Sequence, residues 1–471
     1  MLRKFIATKL FENLEFQPTG GQVEMIEELG AFLASEDPSE LMLIKGYAGT
    51  GKTTLVNSLV KTLANFKQKS VLLAPTGRAA KVLSAYTNHS AWTIHKKIYR
   101  QKSGKDGLGE FVLDRNLHKN TYFIVDEASM IGDRTAGSFF GSGDLLRDLL
   151  DYVESGSLCR LIMVGDTAQL PPVGLDISPA LNLERLTQYG YQVREIEMTD
   201  VVRQTEGSGI LHNATAIRTL ITERIEDYPE FNFDAFHDIT MLSGSDLLES
   251  ISASYDQVGA GETIVVTRSN KRANRFNAGI RSQILWREEQ VSPGDLLMVV
   301  KNNYFWKDEN NKIDFIANGD IIKVIKVLHY EEVHGHNFAN VLVALPDLDE
   351  LELEVKVLLD VIDLDAPSLN NDQQRTLYMS VAEDYADATN RKQVSIKIAS
   401  DPFYNALQVK YAYAVTCHKS QGGQWNSVYL DQGYFTEEML TLDYLRWLYT
   451  AFTRASGHLY LVNMAKQFIP R

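Results

Sequence analysis

Residues Gly46 to Thr54 read GYAGTGKTT and follow LMLI (Leu41 to Ile44), an apolar run of strand length. After them Leu55, Val56, Leu59, Val60 and Leu63 recur at helical spacing. Strand, glycine loop and helix are the context in which a P-loop grips a triphosphate. Gly46, Gly49 and Gly51 let the backbone curl until its N–H groups, through Thr50, Thr53 and Thr54, face phosphate oxygens. Lys52 adds a cation between the outer phosphates, and the Thr53 hydroxyl can ligate Mg²⁺. The helix N-terminus contributes its dipole. ATP with Mg²⁺ is the expected ligand.

The second half of the site is TYFIVDEASMIGD (Thr121 to Asp133), where an apolar strand delivers two carboxylates at its end. Asp126 is expected to hold Mg²⁺ through its water shell, and Glu127 to polarise the attacking water. An Asp-Glu pair by itself is commonly two surface acids; its place after a hydrophobic strand and downstream of the P-loop gives it the catalytic role. NKID (Asn311 to Asp314) matches the guanine-reading pattern of GTPases, but it lies in a polar turn, KDENNKID, far from the loop. No glycine follows Asp126 at the spacing of a GTPase switch, so the match is chance. LIMVGDTAQLPPVG (Leu161 to Gly174) is a further strand with a proline-stiffened loop, and its Gln169 could reach a terminal phosphate.

The chain has 471 residues, 44% hydrophobic and 23% charged, which suggests about three soluble domains. Its apolar runs are strand-sized, so no membrane span is expected, and the first residues lack a secretory pattern. Two cysteines without metal-ligand spacing fit a reduced, cytoplasmic protein. The net charge of −14 is an average: acid gathers in 346–367 and 223–238, base in 95–105 and 267–281. A basic groove for nucleic acid on an acidic protein is electrostatically reasonable.

Taken together the motifs resemble superfamily 1 helicases, of the Dda and RecD group that moves 5′ to 3′. The resemblance runs from Gln22 to Arg454. PTGGQ, ending at Gln22, resembles the adenine-reading Q motif; LLAPTGRAAKVL resembles motif Ia, WTIH motif Ib and GDTAQLPPVG motif III. MTDVVRQ is similar to motif IV, YAVTCHKSQGGQW to motif V and WLYTAFTRAS to motif VI. The resemblance implies an ATP-driven translocase on single-stranded DNA that separates duplexes, a monomer binding single strands and single/double-strand junctions. It also implies that Arg203 and Arg454 reach the phosphates from the second lobe, and that His95 and His418 contact the strand. An ATPase that strips proteins from DNA, acts on RNA or grips without travelling is the alternative. A small-molecule kinase would need neither motif V nor motif VI.

Pro75 and Thr76 close a strand before a helix that starts near Arg78, a natural phosphate grip. Thr267 repeats that design in the second half, and Thr416, His418 and Lys419 echo it. The fold expected is α/β, two RecA-like P-loop NTPase lobes. The first takes residues 1–85 and 120–200, the second 201–310 and 406–471. Residues 86–119 are expected to form a β-hairpin turning at GKDG, the place where the family carries a strand-splitting pin. Phe111 beside that turn is either a wedge on the last base pair or a packing residue. Residues 311–405, with LELEVKV and VSIKIA as strands and SLNNDQQ as a loop, are expected to form a small barrel, SH3-like by the resemblance. With no large domain before Gln22 and no nuclease cluster, a self-sufficient motor is expected.

Overall fold

The computed structural model describes residues 2–14, 17–102, 110–133, 141–200, 207–233, 235–307, 316–346, 350–388 and 390–469. The first lobe contains, in chain order, β1 (Glu40–Gly46), β2 (Lys69–Ala74), β3 (Ala91–Thr93), β4 (Tyr99–Lys102), β5 (Glu110–Leu113), β6 (Thr121–Val125), β7 (Arg160–Gly165) and β8 (Gln192–Met198). Six of them form one parallel sheet in the order β3-β2-β6-β7-β1-β8. Leu41 and Leu43 of β1 face the helix Leu145–Glu154; Met42 and Ile44 face the helices Leu2–Glu12, Gly20–Ala34 and Lys52–Asn65. A sheet covered on both faces has no polar side, which is why its strands are continuous apolar runs. The strands β4 and β5 pair antiparallel as a hairpin. Its expected turn, GKDG (104–107), lies outside the described residues.

The second lobe adds β9 (Ile239–Leu242) and β10 (Thr263–Thr267), then β11 (Leu296–Val299), β12 (Ile321–Val333), β13 (His336–Leu345), β14 (Leu351–Leu358) and β15 (Leu407–Tyr411). It ends with β16 (Ala414–Thr416), β17 (Trp425–Asp431) and β18 (Ala455–Val462). A second parallel sheet runs β16-β10-β17-β18-β9, and β11 to β15 close a barrel. The barrel takes its first and last strands from outside residues 311–405. Ile264 and Val265 of the sheet share one hydrophobic cluster with Leu297 and Val341 of the barrel. The two are packed as one body.

Two local expectations are corrected. VSIKIA (Val394–Ala399) is not a strand but the end of the helix Arg391–Ala399. Asn390 caps that helix by accepting the Gln393 N–H at 2.9 Å, and Ile398 is buried in a cluster with Leu377 and Val381 of the helix Asn371–Glu383. Packing outvotes a short period-two pattern. SLNNDQQ is likewise the start of that second helix: Asn370 and Gln373 form a reciprocal capping box. NKID (311–314) lies outside the described residues.

The barrel is pinned to the lobe by a buried charge. Asp295 has no exposed surface and accepts two hydrogen bonds from Arg281 at 3.0 and 3.1 Å. Arg287 at 2.6 Å, the Tyr413 hydroxyl at 2.9 Å and the Ser292 N–H at 2.7 Å also donate to it. Removing one partner of such a network strands the buried guanidinium of Arg281. Asp295→Ala is expected to cost about 3–5 kcal/mol, measured as an earlier urea midpoint for the second lobe.

Candidate active site

The loop after β1 turns as its glycines permit. Gly49 and Gly51 have φ of +77° and +88°, and Gly51 ends the turn as N-cap of the helix Lys52–Asn65. A Cβ on Gly46 would lie 3.0 Å from both Lys52 Cγ and Thr50 Oγ1. Thr50 donates to the Tyr47 carbonyl at 2.8 Å, and Gln22 Nε2, from the capped helix Gly20–Ala34, donates to the Thr50 carbonyl at 2.9 Å. Gln22 Oε1 accepts the Thr19 N–H at 3.0 Å, so the Gln22 amide braces the loop from behind. Lys52 Nζ donates to the Tyr47 carbonyl at 2.8 Å and stands 3.8 Å from Asp166 Oδ2.

The neighbouring strand ends add the acids. Asp126 follows β6, and its Oδ1 accepts the Glu127 N–H at 2.9 Å; Glu127 sits in the left-handed region at φ +53°. Burial first, then the Glu127 charge, push the Asp126 carboxyl up to about 6. Asp166 follows β7, is buried, and accepts the Ala168 N–H at 2.9 Å.

The second lobe completes the cleft. A cavity of about 440 Å³ is lined by Gly51, Lys52, Thr53, Thr54, Asp126, Glu127 and Gln169 from the first lobe, and by Gly423 and Arg454 from the second. Arg454 is buried, donating to the carbonyls of Thr450 at 3.0 Å and Gly423 at 3.1 Å. Gln169 is buried too, with its Oε1 lacking a hydrogen-bond partner among the described residues. Leu170 is held at both ends of its residue: its N–H donates to Thr450 Oγ1 and its carbonyl accepts from Gln421 Nε2, both at 2.8 Å. Tyr449 donates to Asp166 at 2.9 Å and accepts the Ala48 N–H at 2.8 Å. Asp166, Gln421, Tyr449 and Thr450 were visible as motif members but carried no individual signal.

The residues expected to meet a strand are distributed differently. Thr76 caps the helix Gly77–Thr87, accepting the Ala79 N–H at 3.2 Å, with half-buried Pro75 before it. Next to it Arg78 stacks 4.1 Å over the Trp425 ring and donates to the Gln424 carbonyl at 3.2 Å. Thr267 is fully buried, donating to the carbonyls of Ser269 and Val415; the exposed hydroxyl at that helix start belongs to Ser269. Thr416 is half-buried and His418 exposed. Lys419 Nζ has no hydrogen-bond partner among the described residues, and burial brings it down to about 8. Phe111 is half-buried on β5, its ring 4.7 Å from that of Tyr304 beyond β11. His95 is half-buried, and burial lowers it to about 4, so it is uncharged at neutral pH. Arg203 lies outside the described residues.

Two parallel α/β lobes closing on one P-loop define a two-lobed P-loop NTPase. Residues 18–230 match the AAA domain family model, and residues 411–462 the UvrD-like helicase C-terminal domain model. An uncharacterised protein, R530, of Acanthamoeba polyphaga mimivirus is 24% identical across 90% of this chain and 96% of its own length. The ATP-dependent RecD2 DNA helicase of Deinococcus radiodurans is 30% identical across 42% of this chain but 24% of its own. The ATP-dependent DNA helicase Dda of Enterobacteria phage T4 is 25% identical across 62% of this chain and 64% of its own. The chain thus spans less than two thirds of these two helicases. A solved structure of Pif1 helicases, concerned with unwinding at forked double-stranded DNA, matches 97% of this chain and 95% of its own, at 16% identity and a TM-score of 0.50. The chain is thus similar to the AAA domain family in its first lobe and to the UvrD-like helicase C-terminal domain family near its end, and it shares the fold of the Pif1 structure. No described helix is long and apolar enough to cross a membrane.

The neutral His95 has a stability consequence. Its folded pKa of about 4 lies below the ordinary 6.5, so the unfolded chain binds the proton more readily. The stability it contributes is complete above pH 6.5 and is lost as the pH falls towards 4. His95→Asn is expected to flatten the fall in the urea midpoint between pH 6.5 and 4.

Proposed function

We propose that the protein is an ATP-dependent DNA helicase that moves 5′ to 3′ on single-stranded DNA and separates duplexes. The observation that carries the reading is the shared cleft: Lys52 and Glu127 from one lobe and Arg454 from the other line a single cavity. A triphosphate there would be touched by both lobes, so its hydrolysis changes the attraction between them. Such a cleft converts chemistry into relative motion of two strand grips.

The residues divide the work. Lys52 leaves the Tyr47 carbonyl for the outer phosphates, while the N–H groups from Gly49 to Thr54 hold their oxygens. Glu127 takes a proton from the attacking water, and Gln169 Oε1, without a hydrogen-bond partner among the described residues, accepts the water's second hydrogen bond. Arg454, with Arg203 by the family pattern, neutralises charge developing on the transferred group. The crowded Asp126 carboxyl beside Glu127 suits a hard cation. Thr53 and Asp126 would hold Mg²⁺, which draws charge from the outer phosphates.

On the strand-binding side, Pro75 and Thr76 at one helix start and Thr416, His418 and Lys419 in the second lobe serve phosphates and sugars. A Lys419 ammonium without a hydrogen-bond partner among the described residues gains most from an anion. A monomer has all these groups in one chain. Phe111, seated against Tyr304, would act as a braced wedge at the junction.

Strand separation should be measured on matched duplexes with a 5′ or a 3′ single-stranded tail. Unwinding is expected from the 5′ tail alone, with loss of more than a hundredfold in Lys52→Ala. Unwinding from the 3′ tail alone would overturn the polarity. ATP hydrolysis without unwinding from either would replace the helicase by a switch.

A further inference from the structure

Successive residues of the helix Leu442–Phe452 cross the cleft to two different first-lobe loops. Tyr449 has a fully buried ring, and its hydroxyl bridges the P-loop, at the Ala48 N–H, to Asp166 after β7. Thr450 holds the Leu170 N–H at 2.8 Å. Leu170 leads directly into Pro171–Leu175, which with Arg268, His418 and Trp447 lines a separate cavity of about 440 Å³. One helix turn thus touches the phosphate-binding loop and the root of a loop on another face.

We propose that the Tyr449 hydroxyl is a positioning residue that couples the second lobe to the phosphate site, making ATP hydrolysis respond to a bound single strand. This rests on the ATP-driven motor described above. The chemistry is fixed by the proton count. A neutral phenol has one O–H to donate, and the Asp166 carboxylate accepts that hydrogen bond; the lone pairs remain for the Ala48 N–H. Burial and the Asp166 charge both hold that phenol protonated far above any working pH. Asp166 Oδ2 is also the carboxylate oxygen 3.8 Å from Lys52. The Tyr449 O–H therefore moderates how strongly Asp166 competes with the phosphates for the Lys52 ammonium. It does so only while the second lobe is seated against the first. A strand that shifts the loop 171–175 moves Leu170, hence Thr450 and its neighbour Tyr449.

The test is steady-state ATP hydrolysis by the full chain and by Tyr449→Phe, with and without oligo(dT). The variant keeps the buried ring and loses both hydrogen bonds. Its oligo(dT)-stimulated kcat is expected to fall at least tenfold, with KM for ATP within threefold, so that the ratio of stimulated to unstimulated rate collapses. An unchanged ratio would overturn the proposal, whether the rates fall together or not at all. Should Tyr449→Phe not fold, Asp166→Ala removes the acceptor of the same hydroxyl and carries the same expectation for the ratio. A wild type that oligo(dT) does not stimulate would overturn the motor itself, a result visible before either variant is made.

Discussion

Backbone polar groups caught between the two lobes must find partners there, and most of the cleft follows from how they do. The Ala48 N–H and both ends of Leu170 are satisfied by side chains of the opposite lobe: Tyr449, Thr450 and Gln421. Leaving such groups unmade costs about 1–3 kcal/mol each, so the lobes are held in register by necessity. The same contacts set Arg454 in the cavity that contains Lys52, because Arg454 follows the C-cap Thr453 of the helix that carries Tyr449 and Thr450 and donates to the Thr450 carbonyl. Away from the cleft, Lys81 meets Asp320 at 3.1 Å and extends the interface to the base of the barrel.

The barrel is part of the second lobe's core and not a loosely tethered module. Its strands share one cluster with the lobe, and the Asp295 network ties barrel, helix and strand with charge-assisted hydrogen bonds. That rigidity gives the hairpin something to lean on. Phe111 on β5 and Tyr304 beyond β11 meet across the molecule, joining the first lobe's insert to the barrel side of the second.

Much of the site was legible because its signals are local. A glycine at positive φ, a lysine at a helix start and an acid at a strand end each depend on a few neighbouring residues, so Gly49, Gly51, Lys52, Asp126 and Glu127 could be placed from spacing. Elements decided by distant packing were harder. VSIKIA alternates like a strand but is helical, because Ile398 finds Leu377 and Val381. The Asn370–Gln373 capping box within SLNNDQQ was a local signal that marks the helix start. Thr267 occupies the same kind of strand end as Thr76, yet the second sheet buries it and exposes Ser269 instead.

The sequence by itself determined the P-loop, the order of motifs and the α/β class, because backbone conformation and periodic burial are encoded over a few residues. Only the tertiary structure decided which side chains face each other across the cleft. Asp166 and Tyr449 are 283 residues apart in the chain, and their hydrogen bond exists because the two lobes pack against each other at the cleft. A contact of that separation leaves no spacing to read; its partners are chosen by the surfaces each lobe presents once folded.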